Sequence, residues 1–144
     1  MSLDRMKALL LGKNVCVLAT VSGATPHCSF MAYITDENCR EVYMFTRRDS
    51  KKFANVTKNR SVSLLVDSRG VSDPRRIQAL TVSGVFKPIG DPLKRARIRK
   101  SFLSRHPHLK ELVDHPDAEL LRVRIDSFLL LDGPSKAYFV EVEA

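Results

Sequence analysis

REVYMFTRRDSKKFANVTKNRSVSLLVD, residues 40–67, predicts a strand, a basic turn, a short helix and a second strand in immediate succession. Its outer segments, EVYMFT and SVSLLVD, are rich in the aromatic and β-branched residues that strands favour. Between them, Asp49 or Ser50 is a candidate N-cap, and the spacing of apolar and β-branched side chains indicates about two helical turns over residues 50–58. The rest of the chain is interpreted from this unit outward.

Four basic residues surround the start of the predicted helix: Arg47, Arg48, Lys51 and Lys52. The first backbone N–H groups of any helix lack intrahelical acceptors, and the helix dipole favours negative charge at that end. Basic side chains beside such N–H groups suit a phosphate. We therefore expect the phosphate of any phosphorylated cofactor at this turn.

Composition limits the classes of protein to consider. The chain has 144 residues and a formal net charge of +8, and we expect one domain over residues 1–144. Three cysteines without CxxC spacing and four histidines argue against a disulfide framework or a zinc site. The apolar runs are too short to span a bilayer, and MSLDRMKALLLG is not followed by a cleavage-site pattern. We expect a cytoplasmic protein without membrane association.

The positive charge is concentrated in two segments, the basic turn and residues 94–110, which hold seven basic residues and no acidic one. Such a helix is usually solvated surface, but it could also bind nucleic acid or another polyanion. Phe102 is the one aromatic residue of the segment, whereas single-strand binders interleave several aromatic residues with the charge. A nucleic-acid partner is therefore the less favoured interpretation.

The remaining sequence predicts closely spaced strands and a few helices. Helices are expected at 2–11, 91–105 and 108–113, a loop at 68–76, and further strands at 14–21, 27–35, 77–89, 118–132 and 137–143. Connections this short suit antiparallel pairing, because a parallel crossover needs a dozen or more residues. The predicted fold is mainly β: an antiparallel split β-barrel of about six to seven strands with helices covering its openings.

Side-chain catalysis finds little support in the sequence. The nucleophile elbow, the P-loop, the dinucleotide glycine fingerprint and the HExxH helix are all missing. A cofactor that brings its own reactivity fits better, since the protein then supplies a phosphate site, an apolar wall and backbone polar groups.

The order of motifs from Gly23 to Asp67 resembles the pyridoxamine 5′-phosphate oxidase-like, FMN-binding split barrels. GxxP leads into a strand, and VYMFT, a basic turn, SKK, FxNV and SLLVD follow, with IQALTVSGVFKPIGD later in the chain. The resemblance implies bound FMN, an oxidoreductase activity on an unknown small molecule, and a homodimer whose two cofactor sites lie at the subunit interface. A haem or deazaflavin cofactor, without catalysis, is the alternative.

The resemblance also implies which residues bind the cofactor. The flavin-lining strand falls on Ser29, Phe30, Met31 and Ala32, and the phosphate-binding SxK signature falls on Ser50, Lys51 and Lys52. Thr46 corresponds to the threonine that ends the third strand of the motif and is also implied as a cofactor-binding residue. Gln78 is the nearest match to a glutamine that reaches the partner's flavin, one position from the strictest pattern.

Two departures make a vitamin-phosphate substrate doubtful. The flavin-lining strand lacks the arginine of the oxidases proper, and the chain has no tryptophan and ends in FVEVEA rather than an arginine-rich signature. Arg47 or Arg48 is the candidate replacement for the missing arginine. The catalytic residues and the substrate stay open.

Overall fold

The computed structural model describes residues 2–70 and 73–142. Within them, eight strands form one antiparallel sheet: β1 (Val15–Ser22), β2 (Thr25–Ala32), β3 (Ile34–Thr35), β4 (Glu41–Arg47), β5 (Ser61–Asp67), β6 (Gln78–Phe86), β7 (Ala118–Asp132) and β8 (Lys136–Glu141). The α-helices are α1 (Ser2–Gly12), α2 (Lys51–Lys58), α3 (Pro92–Arg105) and α4 (Lys110–Asp114), with 3₁₀ turns at Pro74–Arg76 and Pro107–Leu109. None of the helices in these ranges is long and apolar enough to cross a membrane.

The sheet curls into a split barrel, as the sequence predicted. Its strand order is β2-β1-β5-β6-β7-β4-β3, and β8 pairs with the second half of the long strand β7. Because β2 and β3 lie at opposite ends of this order but are joined through Tyr33, the two edges meet. No backbone pairing joins β2 to β4, so the barrel has a split between them.

Tyr33 explains the one additional strand. The sequence predicted a single strand over 27–35, but the backbone breaks where Tyr33 N–H donates to Asn14 O (3.1 Å) and its hydroxyl donates to Leu10 O. The side chain is 1% exposed, so the break is fixed by core packing that the local sequence pattern does not reveal. The predicted loop at 68–76 and strand at 137–143 extend over residues 71–72 and 143, which lie outside the described residues.

Two apolar clusters hold the fold together, one on each face of the sheet. The interior cluster is formed by inward-facing strand residues together with Met6 and Leu10 of α1 and Val56 of α2. The outer cluster packs α3 and α4 against the outward faces of β4 and β7 through Ile34, Tyr43, Phe45, Ile89, Ile98, Phe102, Val113 and Leu120. Tyr43 and Phe45 alternate with the inward-facing Met44, so β4 is buried on both faces.

Gly84 allows β6 to bend at the point where its pairing with β7 shifts register. A Cβ atom built at this position would lie 2.3 Å from Arg124 O and 2.8 Å from Val123 Cγ1. The neighbouring backbone therefore leaves room only for hydrogen, as expected for a glycine at a sharply bent barrel strand.

Candidate functional site

A cavity of about 340 Å³ lies at the split of the barrel, between β2 and β4 and against α3 and α4. We call it the split cavity. Phe30, Met31 and Ala32 come from β2, Phe45, Thr46 and Arg47 from β4, Asp49, Ser50 and Lys52 from the start of α2, and Phe102, Leu109 and Leu112 from the α3–α4 segment. Seven of the ten predicted cofactor residues therefore line one cavity.

Ser50 organises the polar end of the split cavity. It is the N-cap of α2, and its Oγ accepts hydrogen bonds from Phe53 N (3.2 Å) and from Thr46 Oγ1 (2.9 Å). Thr46 is 4% exposed, so the last inward residue of β4 is tied directly to the start of the helix. Since Ser50 Oγ accepts both bonds, its own hydroxyl hydrogen is available to a ligand oxygen.

Helix geometry separates the two predicted lysines. Lys52 lines the split cavity, whereas Lys51 does not. Successive residues of a helix point about 100° apart, so the side chain of only one neighbour can face a given surface. Lys51 can contribute its backbone N–H, which lies in the unpaired first turn.

The two candidate arginines also separate. Arg47 lines the cavity and forms two 3.2 Å hydrogen bonds with Asp49, which lines it too. Arg48 is directed instead to acidic residues beside and within β7, with contacts of 2.9 Å to Glu119 and 3.6 Å to Asp117. Arg47 is therefore the arginine placed to contact an anion in the cavity, in competition with Asp49.

Two predicted residues lie away from the split cavity. Ser29 is opposite Leu18 in the β1–β2 ladder and does not line the cavity, although Met31, two residues along on the same face of β2, does line it. Gln78 lies at the start of β6 in a separate cavity, where its amide donates to Asp132 Oδ1 (3.4 Å). Gln78 is not among the residues that line the split cavity.

The part of the apolar wall that the α3–α4 segment supplies was not predicted from the sequence. Phe102 contacts Phe45 edge to face, with ring centroids 4.9 Å apart, and Leu109 and Leu112 extend the same surface. Phe102 is held in turn by His106, whose ring centroid is 4.9 Å away and whose Nε2 lies 2.9 Å from Tyr33 O. These residues follow β4 by more than 50 positions, and no local motif connects them to it.

The basic segment at 94–110 is largely occupied by contacts within the protein. Five of its seven basic side chains contact oxygen atoms: Lys94 with Glu41, Arg95 with Ile89 O, Arg99 and Lys110 with Asp114, and Arg105 with Asn14 Oδ1 and the Leu11 and Lys13 carbonyls. These contacts connect α3 to β4, α4 and α1. Structural roles therefore account for most of this charge.

The family model of pyridoxamine 5′-phosphate oxidase matches residues 2–132. The chain belongs to this family. The matched range includes all the residues that line the split cavity. No curated protein matches the chain in sequence.

Solved structures with the family's fold are similar to this chain at low sequence identity. The heme-binding protein from Mycobacterium smegmatis superposes with a TM-score of 0.87 at 17% identity, covering 98% of this chain and 58% of its own. General Stress Protein 26 from Bacillus anthracis superposes with a TM-score of 0.75 at 21% identity, covering 99% of this chain and 100% of its own. An FAD-binding protein from Mesorhizobium loti superposes with a TM-score of 0.73 at 21% identity, covering 90% of this chain and 94% of its own. At these identities, the superpositions establish the fold alone.

Proposed function

We propose that this chain is an FMN-binding flavoprotein that acts as an oxidoreductase on a small molecule. The observation that carries the proposal is the split cavity, which combines a cationic end at a helix start with an apolar wall. Its volume of about 340 Å³ is at the lower end of the range for sites that enclose a molecule of cofactor size. Family membership and the FAD-binding relative from M. loti support a flavin.

The residues of the split cavity fit the two parts of FMN. The phosphate can accept hydrogen bonds from Lys52, from the Ser50 hydroxyl and from the first N–H groups of α2. Arg47 can release Asp49 and bind the phosphate instead. Phe30, Phe45 and Phe102 offer apolar and aromatic surface to the flat ring. When bound, the flavin supplies the electron-transfer chemistry, and this chain supplies orientation and exclusion of water.

A flavin is favoured over haem by the lining of the cavity. The described residues that line it include no histidine, cysteine or tyrosine, and Met31, which also lines it, is a type of residue that ligates haem in cytochromes c together with a histidine. The heme-binding relative from M. smegmatis keeps haem as the second candidate. The absorbance spectrum of the purified protein separates the two, because flavin and haem absorb at different wavelengths and only haem gives a Soret band.

The proposal is tested by titrating the parent and two single-lysine variants with FMN, with flavin fluorescence as the measure of binding. We expect Lys52→Ala to weaken FMN binding by about tenfold or more, the factor of one charge-assisted hydrogen bond. Lys51→Ala is the matched control, one residue away and outside the cavity, and should stay within about twofold of the parent. Equal losses in the two variants would refute the site, and failure of the parent to bind FMN would refute the function.

We also propose a homodimer, since the outer face of the sheet exposes an apolar row. The strand registers place six residues side by side across six strands: Phe30, Val17, Leu65, Thr81, Leu129 and Phe139. Phe30 and Phe139, at its ends, are 68% and 60% exposed. A row that is apolar at five of its six positions is typical of an interaction surface. Because Phe30 also lines the split cavity, dimerisation through this face would bring a second subunit to the cofactor.

Light scattering after size exclusion tests the dimer. We expect Leu129→Glu to yield monomers, because it would bury a carboxylate within the row. Leu93→Glu is the control, since Leu93 is 71% exposed on α3 and lies outside the row. A Leu129→Glu protein with the mass of the parent would show that the row is not the interface.

A further inference from the structure

His106 is a buried histidine that caps the end of α3 and does not itself line the split cavity. It is 3% exposed, so its ring nitrogens are largely removed from water and need partners inside the protein. One partner is Tyr33 O, which lies 2.9 Å from His106 Nε2. A carbonyl oxygen can only accept, and Nε2 therefore carries the hydrogen of this bond.

The backbone of His106 is bonded to residues of the helical wall of the split cavity. His106 N donates to Phe102 O (2.8 Å), and Leu109 N donates to His106 O (3.0 Å). The His106 ring also packs on the Phe102 ring, with centroids 4.9 Å apart. Since Phe102 and Leu109 both line the cavity, the position of this wall depends on where His106 is held.

Tyr33, the acceptor of the His106 bond, belongs to the opposite wall. It directly follows Ala32, which lines the split cavity at the end of β2. Tyr33 N donates to Asn14 O (3.1 Å), and the Tyr33 hydroxyl donates to Leu10 O. Because these two bonds fix Tyr33 against the barrel and α1, its carbonyl is a rigid acceptor for the His106 ring.

We propose that His106 is a positioning residue for the split cavity, whose bond to Tyr33 O sets the spacing between the β2 wall and the Phe102 wall. Within the described ranges, β2 and β4 do not pair with each other, so no ladder of backbone bonds sets this spacing. The role rests on the proposed function, because the ligand held between the two walls is the flat flavin ring. A wall that is already in place avoids an ordering cost when the ring binds.

The test uses two substitutions of His106 and one of its neighbour. His106→Leu keeps apolar bulk against Phe102 but removes the donor, whereas His106→Gln can still donate to Tyr33 O through Nε2. His108→Gln is the matched control, because His108 is exposed and contacts the His106 ring at a centroid distance of 5.9 Å without lining the cavity. Dissociation constants for FMN and riboflavin are measured by flavin fluorescence, and the orientation of the bound ring is followed by visible circular dichroism.

We expect His106→Leu to weaken FMN and riboflavin alike by about fivefold, the factor of one hydrogen bond. Both ligands carry the same ring, so the ratio of their affinities should stay that of the parent, whereas Lys52→Ala should change this ratio. His106→Leu should also alter the dichroism of the bound flavin. His106→Gln and His108→Gln should keep the parent's dichroism and stay within about twofold of its affinities.

Three results would overturn the proposal. Unchanged flavin affinity and dichroism in a less stable His106→Leu protein would show that the bond serves stability alone. Equal losses in His106→Leu and His106→Gln would show that the donor is not the cause. A changed ratio of FMN to riboflavin affinity in His106→Leu would place the effect at the phosphate end.

Hydrogen exchange of the flavin-free protein separates this proposal from the proposed function. In His106→Leu, the amides of Tyr33, His106 and Leu109 should exchange at least about fivefold faster than in the parent, and the amides that pair β5 with β6 should stay within about twofold. Unchanged exchange at the three amides would overturn the proposal.

The two proposals can therefore fail independently. A parent that binds neither flavin, but shows the local change in exchange, keeps His106 as the residue that holds the two walls and loses the flavoprotein assignment. A parent that binds FMN with an affinity independent of His106 keeps the assignment and loses the positioning role.

Discussion

Replacement of Ser50 by alanine tests the junction between β4 and α2, which forms the polar end of the split cavity. The substitution removes an N-cap, which costs about 1 kcal/mol. It also leaves the Thr46 hydroxyl without its acceptor at a position that is 4% exposed, which costs about 1 kcal/mol more. We therefore expect the free energy of unfolding to fall by about 2 kcal/mol. For a chain of this size, that corresponds to a Tm lower by roughly 7 °C.

The assay is urea unfolding of the FMN-free protein in a double-mutant cycle with Thr46→Val. The buried Thr46 hydroxyl should lower stability only when its acceptor, Ser50 Oγ, is removed. If so, the double variant should be at least as stable as Ser50→Ala alone. The expected coupling energy is about 1 kcal/mol. Ser101→Ala, at an exposed helical serine, is the control and should change stability by less than about 0.5 kcal/mol.

Two results would refute this reasoning. A Ser50→Ala protein within about 0.5 kcal/mol of the parent would show that the cap and the buried hydroxyl contribute little. A double variant clearly less stable than Ser50→Ala would show that Thr46 is stabilised by something other than Ser50. Ser50→Ala should also bind FMN less tightly, since it removes a hydroxyl that we propose as a donor to the phosphate.

Three further predictions concern other parts of the fold. Gly84→Ala should destabilise the protein by about 3 kcal/mol, measured by thermal unfolding, because its Cβ would overlap Arg124 O; a melting temperature near the parent's would contradict this. Maleimide should label one thiol rapidly in the native protein, and Cys28→Ser should abolish that labelling, because the other two cysteines are buried. Burial alone would raise the pKa of Glu41, but hydrogen bonds from Tyr43 and Lys94 outweigh it and hold the pKa below 4.5. Glu41→Gln should therefore lower stability at pH 7, and the difference from the parent should shrink as pH falls below 4.5; a constant difference would exclude an ionic role.

The sequence was informative wherever the determinants are local. Ser50 caps a helix because its oxygen reaches an N–H group three residues away, and the strands on either side of α2 begin and end close to where their composition changes. Asp91 and Pro92 likewise start α3 at the predicted position, with Asp91 Oδ1 accepting from Leu93 N (3.0 Å). Signals of this kind act over two to four residues, and a single sequence displays them directly.

Assignments that depend on side-chain direction needed the structure. The sequence treated Lys51 with Lys52 and Arg47 with Arg48 as equivalent pairs, but helix phase and an ion pair with Glu119 leave one member of each at the cavity. Ser29 likewise lies outside the cavity, whereas the next three residues, Phe30, Met31 and Ala32, line it. A difference of one residue changes the direction of a side chain completely, whereas it barely changes composition.

By itself, then, the sequence determined an antiparallel barrel and a phosphate-suited helix start, because both follow from local patterns and from short connections. The tertiary structure decided that this helix start opens onto a cavity, since the cavity exists only where β2 and β4 fail to pair. It also supplied the apolar wall from Phe102, Leu109 and Leu112, residues more than 50 positions beyond β4. Their role depends on how α3 and α4 pack against the outer face of the sheet. Local sequence patterns do not predict packing between distant segments.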